Sequence, residues 1–136
     1  MPSIRFVAVF LFALAFALVQ AAPVFKAKPV VHTGDGTFFA PGLGACGKTN
    51  KASDLIVAVG HGVFDSFPGA TANPNKNPIC GKKIKATFKG KSVVATVEDR
   101  CAGCAGAADL DFTEAGFKKL ASLSVGRLHG VKWEFV

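Results

Sequence analysis

With 136 residues, half of them hydrophobic and 18% charged, the chain has room for one ordinary domain, and its apolar residues are too many and too evenly spread for disorder. Sixteen Lys and Arg against nine Asp and Glu give a net charge of +7, which suits an acidic polymer as partner. No nucleic-acid recognition motif occurs, so nucleic acid is set aside as that polymer.

The chain begins Met1, Pro2, Ser3, Ile4 and Arg5, then runs apolar from Phe6 to Val19 and on to the small residues Ala21 and Ala22. This is the layout of a secretory signal peptide cleaved after Ala21 or Ala22. A membrane-spanning helix needs roughly 20 apolar residues. The run stops at Gln20, with Pro23 and Lys26 close behind, so no membrane anchor is expected. Residues 1–21 are read as the signal, 22–35 as a short leader, and 36–136 as one folded domain acting as an extracellular monomer. A chain of that size can bury about two-thirds of its unfolded surface.

Within the domain, Gly36-Thr37-Phe38-Phe39-Ala40 reads as the first strand, closed by Pro41-Gly42. Leu55 to Val59 reads as a buried strand, and the Pro- and Asn-rich stretch from Pro68 to Pro78 as an exposed loop. Ile84 to Phe88 and Ser92 to Glu98 form a strand pair, with Ile84, Ala86 and Phe88 inward and Lys89-Gly90-Lys91 as the turn. Asp99 to Asp109 is expected to be a loop. Thr113 can cap a short helix through about Ser122, with Phe117, Leu120 and Ala121 on its buried face. The chain ends on Val131-Lys132-Trp133-Glu134-Phe135, apolar at alternate positions, and a small barrel accommodates these elements better than a sandwich.

Cys46, Cys80, Cys101 and Cys104 read as two disulfides with three possible connectivities. A zinc site at Cys101-Ala102-Gly103-Cys104 would need a second ligand pair, and Cys46 and Cys80 lack the spacing for one. Cys101 and Cys104 are near enough to meet within one turn of loop, which leaves Cys46 for Cys80. His32, His61 and His129 are scattered without ligand spacing, so neither a metal nor a cofactor is expected.

The segments Gly36-Thr37-Phe38-Phe39, Gly44-Ala45-Cys46-Gly47, Cys80-Gly81-Lys82-Lys83-Ile84, Val97-Glu98-Asp99-Arg100-Cys101-Ala102-Gly103-Cys104 and Asp109-Leu110-Asp111-Phe112-Thr113 resemble, in order, the secreted double-psi β-barrels. That superfamily holds rare lipoprotein A, barwin, the expansin catalytic-like domain, loosenins and a small secreted papain inhibitor. The resemblance covers about residues 34–136 and implies a mainly β fold, a six-stranded double-psi barrel with one or two short helices and a groove across it. It further implies that Thr37, Asp99 and Asp111 line the groove and bind substrate. Expansin-like relatives carry an aromatic residue where this chain has Cys101. Any aromatic platform must then come from Phe38, Phe39, Phe64, Phe67 or Trp133, most of which are expected in the core.

Hydrolysis of a glycoside generally needs two carboxyl groups flanking the bond. The first strand holds none, and Asp35, which precedes it, is expected to point elsewhere. The residues therefore point to a protein that binds, and in the expansin manner loosens, cell-wall polysaccharide without hydrolysis. Two other functions stay open: an inhibitor of secreted cysteine proteases, suggested by the papain-inhibitor relative and the exposed loop Ala70 to Asn77, and a lytic enzyme using Asp99 or Asp111 alone. Lys82, Lys83, Lys85, Lys89 and Lys91 read either as a solvated strand face or as an electrostatic rim for an anionic glycan. If they are a rim, retention on pectin should fall steeply between low and physiological salt, where the screening length shortens to about 8 Å. Retention that ignores salt would assign them to a solvated face.

Overall fold

The computed structural model describes residues 2–3 and 8–136. The expected signal segment includes Met1 and residues 4–7, which lie outside the described residues.

Six strands and two short helices follow in the order β1 (His32–Phe38), β2 (Ile56–Gly60), α1 (His61–Ser66), β3 (Lys83–Phe88), β4 (Lys91–Cys101), β5 (Leu110–Phe112), α2 (Glu114–Lys118) and β6 (Leu128–Phe135). The strands close on themselves in the order β1-β5-β2-β4-β3-β6. Closure leaves no free edge for another chain to pair with. β1 with β5 and β2 with β4 are parallel, and the remaining neighbours are antiparallel.

The β3–β4 hairpin forms where turn chemistry demands it. Lys89 and Gly90 both take positive φ, 44° and 80°, which is the two-residue turn whose twist matches the flanking strands. Phe88 and Lys91 close the ladder, and Ile84 and Ala86 point into the barrel beside Val93, Ala95 and Val97. From the other side Val131 and Trp133 of β6 complete this wall, both buried. Thr113 caps α2 as expected, its hydroxyl accepting from the Gly116 N–H and donating to the Asp54 carbonyl. Phe117 and Leu120 fill the end of the core.

The elements differ from the sequence reading mainly at their ends, β6 for instance beginning at Leu128 rather than Val131. β1 begins at His32, inside the expected leader, because its first residues pair with Trp133, Lys132 and Val131 of β6. β4 runs on to Cys101 through parallel pairing with β2. α1 and β5, absent from the sequence reading, lie in stretches too short for a period to show. α2 stops at Lys118, four residues before the expected end at Ser122.

Cys46 pairs with Cys80 and Cys101 with Cys104. A cross-link restricts the unfolded chain more when it spans more residues, so the bridge with a separation of 34 should contribute about 4 kcal/mol and the one with a separation of 3 about 2 kcal/mol. Replacing Cys46 and Cys80 together by Ser is expected to lower Tm by roughly 10 °C more than replacing Cys101 and Cys104. Thermal unfolding of the two double variants checks the ranking, and a reversed order would contradict it.

Candidate functional site

Register alone builds the site. Thr37 on β1 pairs with Asp111 on β5, Asp111 pairs with Ala58 on β2, and Ala58 pairs with Asp99 on β4. Directly paired residues share a face of the sheet, so Thr37, Asp111, Ala58 and Asp99 form one row across four neighbouring strands. All four line a groove of about 390 Å³. Small Ala58 leaves the space between the two carboxylates open, their backbones about 10 Å apart by strand spacing.

Asp111 and Asp99 are held differently. The Thr37 hydroxyl donates to Asp111 Oδ1 at 2.8 Å, and Asp111 Oδ2 carries no hydrogen bond among the described residues. Burial pushes the Asp111 carboxyl above the usual carboxylate range, and the negative charge of Asp99 adds to the effect. The Thr37 hydrogen bond and the Arg127 charge oppose it. Asp99 Oδ1 accepts from the backbone N–H groups of Ala45 and Arg100, each at 2.8 Å. Asp99 thus pins the loop that carries Cys46 while standing in the groove wall.

Asp35 is a correction to the sequence reading, which pointed it elsewhere: it lines the same groove. Its carboxylate receives Arg127 Nη1 and His129 Nδ1, both at 3.1 Å. Burial would raise its pKa, but the hydrogen bonds and charges of His129 and Arg127 outweigh burial and hold Asp35 below the usual range. Arg100, also in the wall, is engaged at 2.7 and 2.6 Å by both oxygens of Asp65. Of the candidate aromatics, Phe38 and Phe39 line the groove, Phe64 and Trp133 are buried, and Phe67 packs against Phe135. The Cys101–Cys104 bridge lies in the groove wall.

The five lysines do not join this site. Lys82, Lys83, Lys85, Lys89 and Lys91 are all exposed, and none lines the groove. β3, which carries two of them, lies across the barrel from β5 in the six-strand order. Lys89 and Lys91 border a second cleft. Among the described residues no group of three or more His, Cys, Asp or Glu is placed to hold a metal ion.

No family model matches the chain. The papain inhibitor of Streptomyces mobaraensis is 34% identical over 143 residues, a match covering 98% of this chain and 93% of the relative. The chain belongs to the family of that inhibitor. The solved structure of the Streptomyces papain inhibitor superposes with a TM-score of 0.70 at 33% identity, covering 79% of this chain and 94% of the other. A homolog of allergen Asp f 7 from Arthroderma benhamiae is 39% identical over 119 residues, 76% of this chain. This member of the papain-inhibitor family spans 38% of the length of that fungal relative. A Clavibacter michiganensis expansin crystallised with cellohexaose shares the fold, with a TM-score of 0.62 at 24% identity over 79% of this chain and 50% of the other. The barrel is thus that of the double-psi superfamily.

The raised pKa of Asp111 has a consequence for stability. A carboxyl whose ionisation is disfavoured by the fold contributes its full stability below the unfolded value near 3.8 and loses it as pH rises through the folded value. Asp111→Asn keeps an acceptor for Thr37 and removes the charge. Relative to the native protein, its Tm is expected to be higher at pH 7 than at pH 3. Thermal melts at both values test this, and a variant that loses more stability at pH 7 would show that the ionised carboxylate is favoured.

Proposed function

We propose that the protein acts outside the cell and binds a neutral, hydroxyl-rich wall polysaccharide in this groove without cutting it. The row Thr37–Asp111–Ala58–Asp99 carries the reading: it sets a polar strip, with carboxylate oxygens at intervals, beside Phe38 and Phe39. Carboxylates accept charge-assisted hydrogen bonds from sugar hydroxyls, each worth about 1.5 to 3 kcal/mol. The groove also holds Asp35 and Asp109, against the cations Arg100 and Arg127. That excess of acid disfavours uronate chains here and leaves pectin to the lysine face.

Cutting would need a free second carboxylate opposite the acid. Asp35 is committed to Arg127 and His129, and Asp99 spends one oxygen on two backbone N–H groups. The two disulfides suit the oxidising surroundings of an exported protein.

A second reading, inhibition of a secreted cysteine protease, is favoured by family membership along nearly the whole chain. It is also favoured by the loop Ala70 to Asn77, exposed over residues 71–76 and held ready from its buried end. The buried Asn77 side chain donates to the Phe64 carbonyl at 2.8 Å and accepts from the Ile79 N–H at 3.0 Å. Asn73 caps the turn Pro74–Lys76, and the Cys46–Cys80 bridge anchors the loop's end. A pre-ordered loop loses little freedom on docking.

One set of assays separates the readings. On insoluble cellulose, chitin and peptidoglycan, the native protein should be retained on at least one, and Asp111→Asn should bind it about tenfold more weakly with no reducing ends released by either. Papain inhibition that survives Asp111→Asn, together with no retention on any glycan, would replace the glycan reading by the inhibitor reading. Reducing ends released by the native protein and abolished in the variant would make Asp111 a catalytic acid.

A further inference from the structure

A second cleft, of about 540 Å³, lies between the tip of the β3–β4 hairpin, the segment that follows α2 and the start of β6. Its size falls within the range of about 300 to 1,000 Å³ typical of small-molecule sites, which are mostly apolar with a few placed polar groups. Leu120 and Leu128, both buried, form the floor together with half-buried Phe88. Val125, 54% exposed, adds an apolar wall open to solvent.

The polar part of this cleft is cationic. Lys89, Lys91, Arg127 and His129 border it, and no carboxylate is among its lining residues. Lys89 and Lys91 make no ion pair among the described residues, while Arg127 and His129 share the single carboxylate of Asp35. Lys89 lies in the turn and Lys91 directly after it, and the turn's backbone is fixed by positive φ at Lys89 and Gly90 and by the Phe88–Lys91 pair, so both stems leave from set positions. Lys89 Nζ lies 5.3 Å from the Phe88 ring centre, at the edge of the apolar floor.

We propose that this cleft binds a small apolar carboxylate of the medium-chain fatty-acid class. Charge complementarity carries the choice of occupant: an apolar body covers Val125, Ala121 and Phe88 above the already buried Leu120 and Leu128, and the carboxylate meets Lys89 and Lys91. A simple anion would leave Val125 and the open part of Phe88 in water, and a neutral apolar molecule would leave the lysines without a counter-charge. The site is distinct from the acidic groove and independent of the glycan reading, although Arg127 borders both cavities.

The test is an amide-resolved NMR titration of the folded protein with sodium decanoate below its micelle concentration, beside decanol and sodium acetate. Decanoate should give saturable shifts at Phe88–Lys91 and Leu120–His129, at least fivefold tighter than either control. The double variant Lys89→Gln/Lys91→Gln, on exposed positions, should retain the native Tm and bind decanoate at least fivefold more weakly. Equal binding of decanol, equal binding of acetate, shifts confined to the acidic groove, no saturation, or an unchanged affinity in a folded double variant would each overturn the proposal.

Discussion

The barrel depends on the passage of residues 106–109 between β1 and β2. Trp133 Nε1 donates to the Ala108 carbonyl, and the Gly60 N–H donates to the Asp109 carbonyl, both at 2.8 Å. The buried Asp109 carboxylate receives the backbone N–H of Asp35 on one oxygen and of Gly106 on the other. Gly34 and Gly60 make the crossing possible: a Cβ on either would stand 2.3 Å from the Ala108 carbonyl oxygen or 2.6 Å from that of Ala107. Asp109 therefore ties a strand start to a loop by two charge-assisted bonds, and β5 can begin only where that tie leaves it. The parallel register of β1 and β5, and with it the contact of Thr37 with Asp111, follows from this clamp.

The other half of the row is set by a skipped residue. Val57 pairs with Val97 and Ala58 with Asp99, so Glu98 has no partner on β2 and the alternation of β4 is reset there. Such a bulge re-aims the side chains that follow it. Glu98 is buried, with Lys48 at 3.4 Å from one oxygen, and its Oε2 has no hydrogen-bond partner among the described residues. An unpaired buried polar atom of this kind costs about 1 to 3 kcal/mol. That cost accompanies the placement of Asp99 in the groove, since without the skip Asp99 would face away from Ala58.

These two devices explain what could be read from the residues and what could not. The hairpin at Lys89-Gly90, the alternation of Val131, Trp133 and Phe135, the cap at Thr113 and the Cys101–Cys104 bridge are local, and local chemistry decides them; Cys46 and Cys80, with a separation of 34, are paired in the sequence reading only as the two left over. β5 is three residues long and owes its existence to neighbours on both sides. Thr37, Asp99 and Asp111 were reached through resemblance, because a row across four strands is a property of register that no single segment records. Asp35 was missed for a related reason. Its place is fixed by Asp109, Arg127 and His129, which lie 74, 92 and 94 residues away. The lysines show the opposite case, a clear local charge run whose side of the barrel depends on the order of β3 and β5.

Charge is then distributed by topology. Strand order places carboxylates from β1, β4 and β5 in one groove and the lysines of the β3–β4 hairpin on the far side, with Arg127 and His129 drawn to Asp35 between them. Crowding acid into one groove disfavours the folded state, and burial at Asp111 makes it worse. The same low dielectric strengthens any hydrogen bond that the groove makes to a ligand hydroxyl. Asp111 keeps the Thr37 hydroxyl on Oδ1, but its Oδ2 receives no hydrogen bond among the described residues and is an acceptor with no protein donor to displace. If the groove binds glycan as proposed, the instability at Asp111 and the binding it would lend share one physical origin, the poorly neutralised carboxylate, and Asp111→Asn would relieve the first while weakening the second.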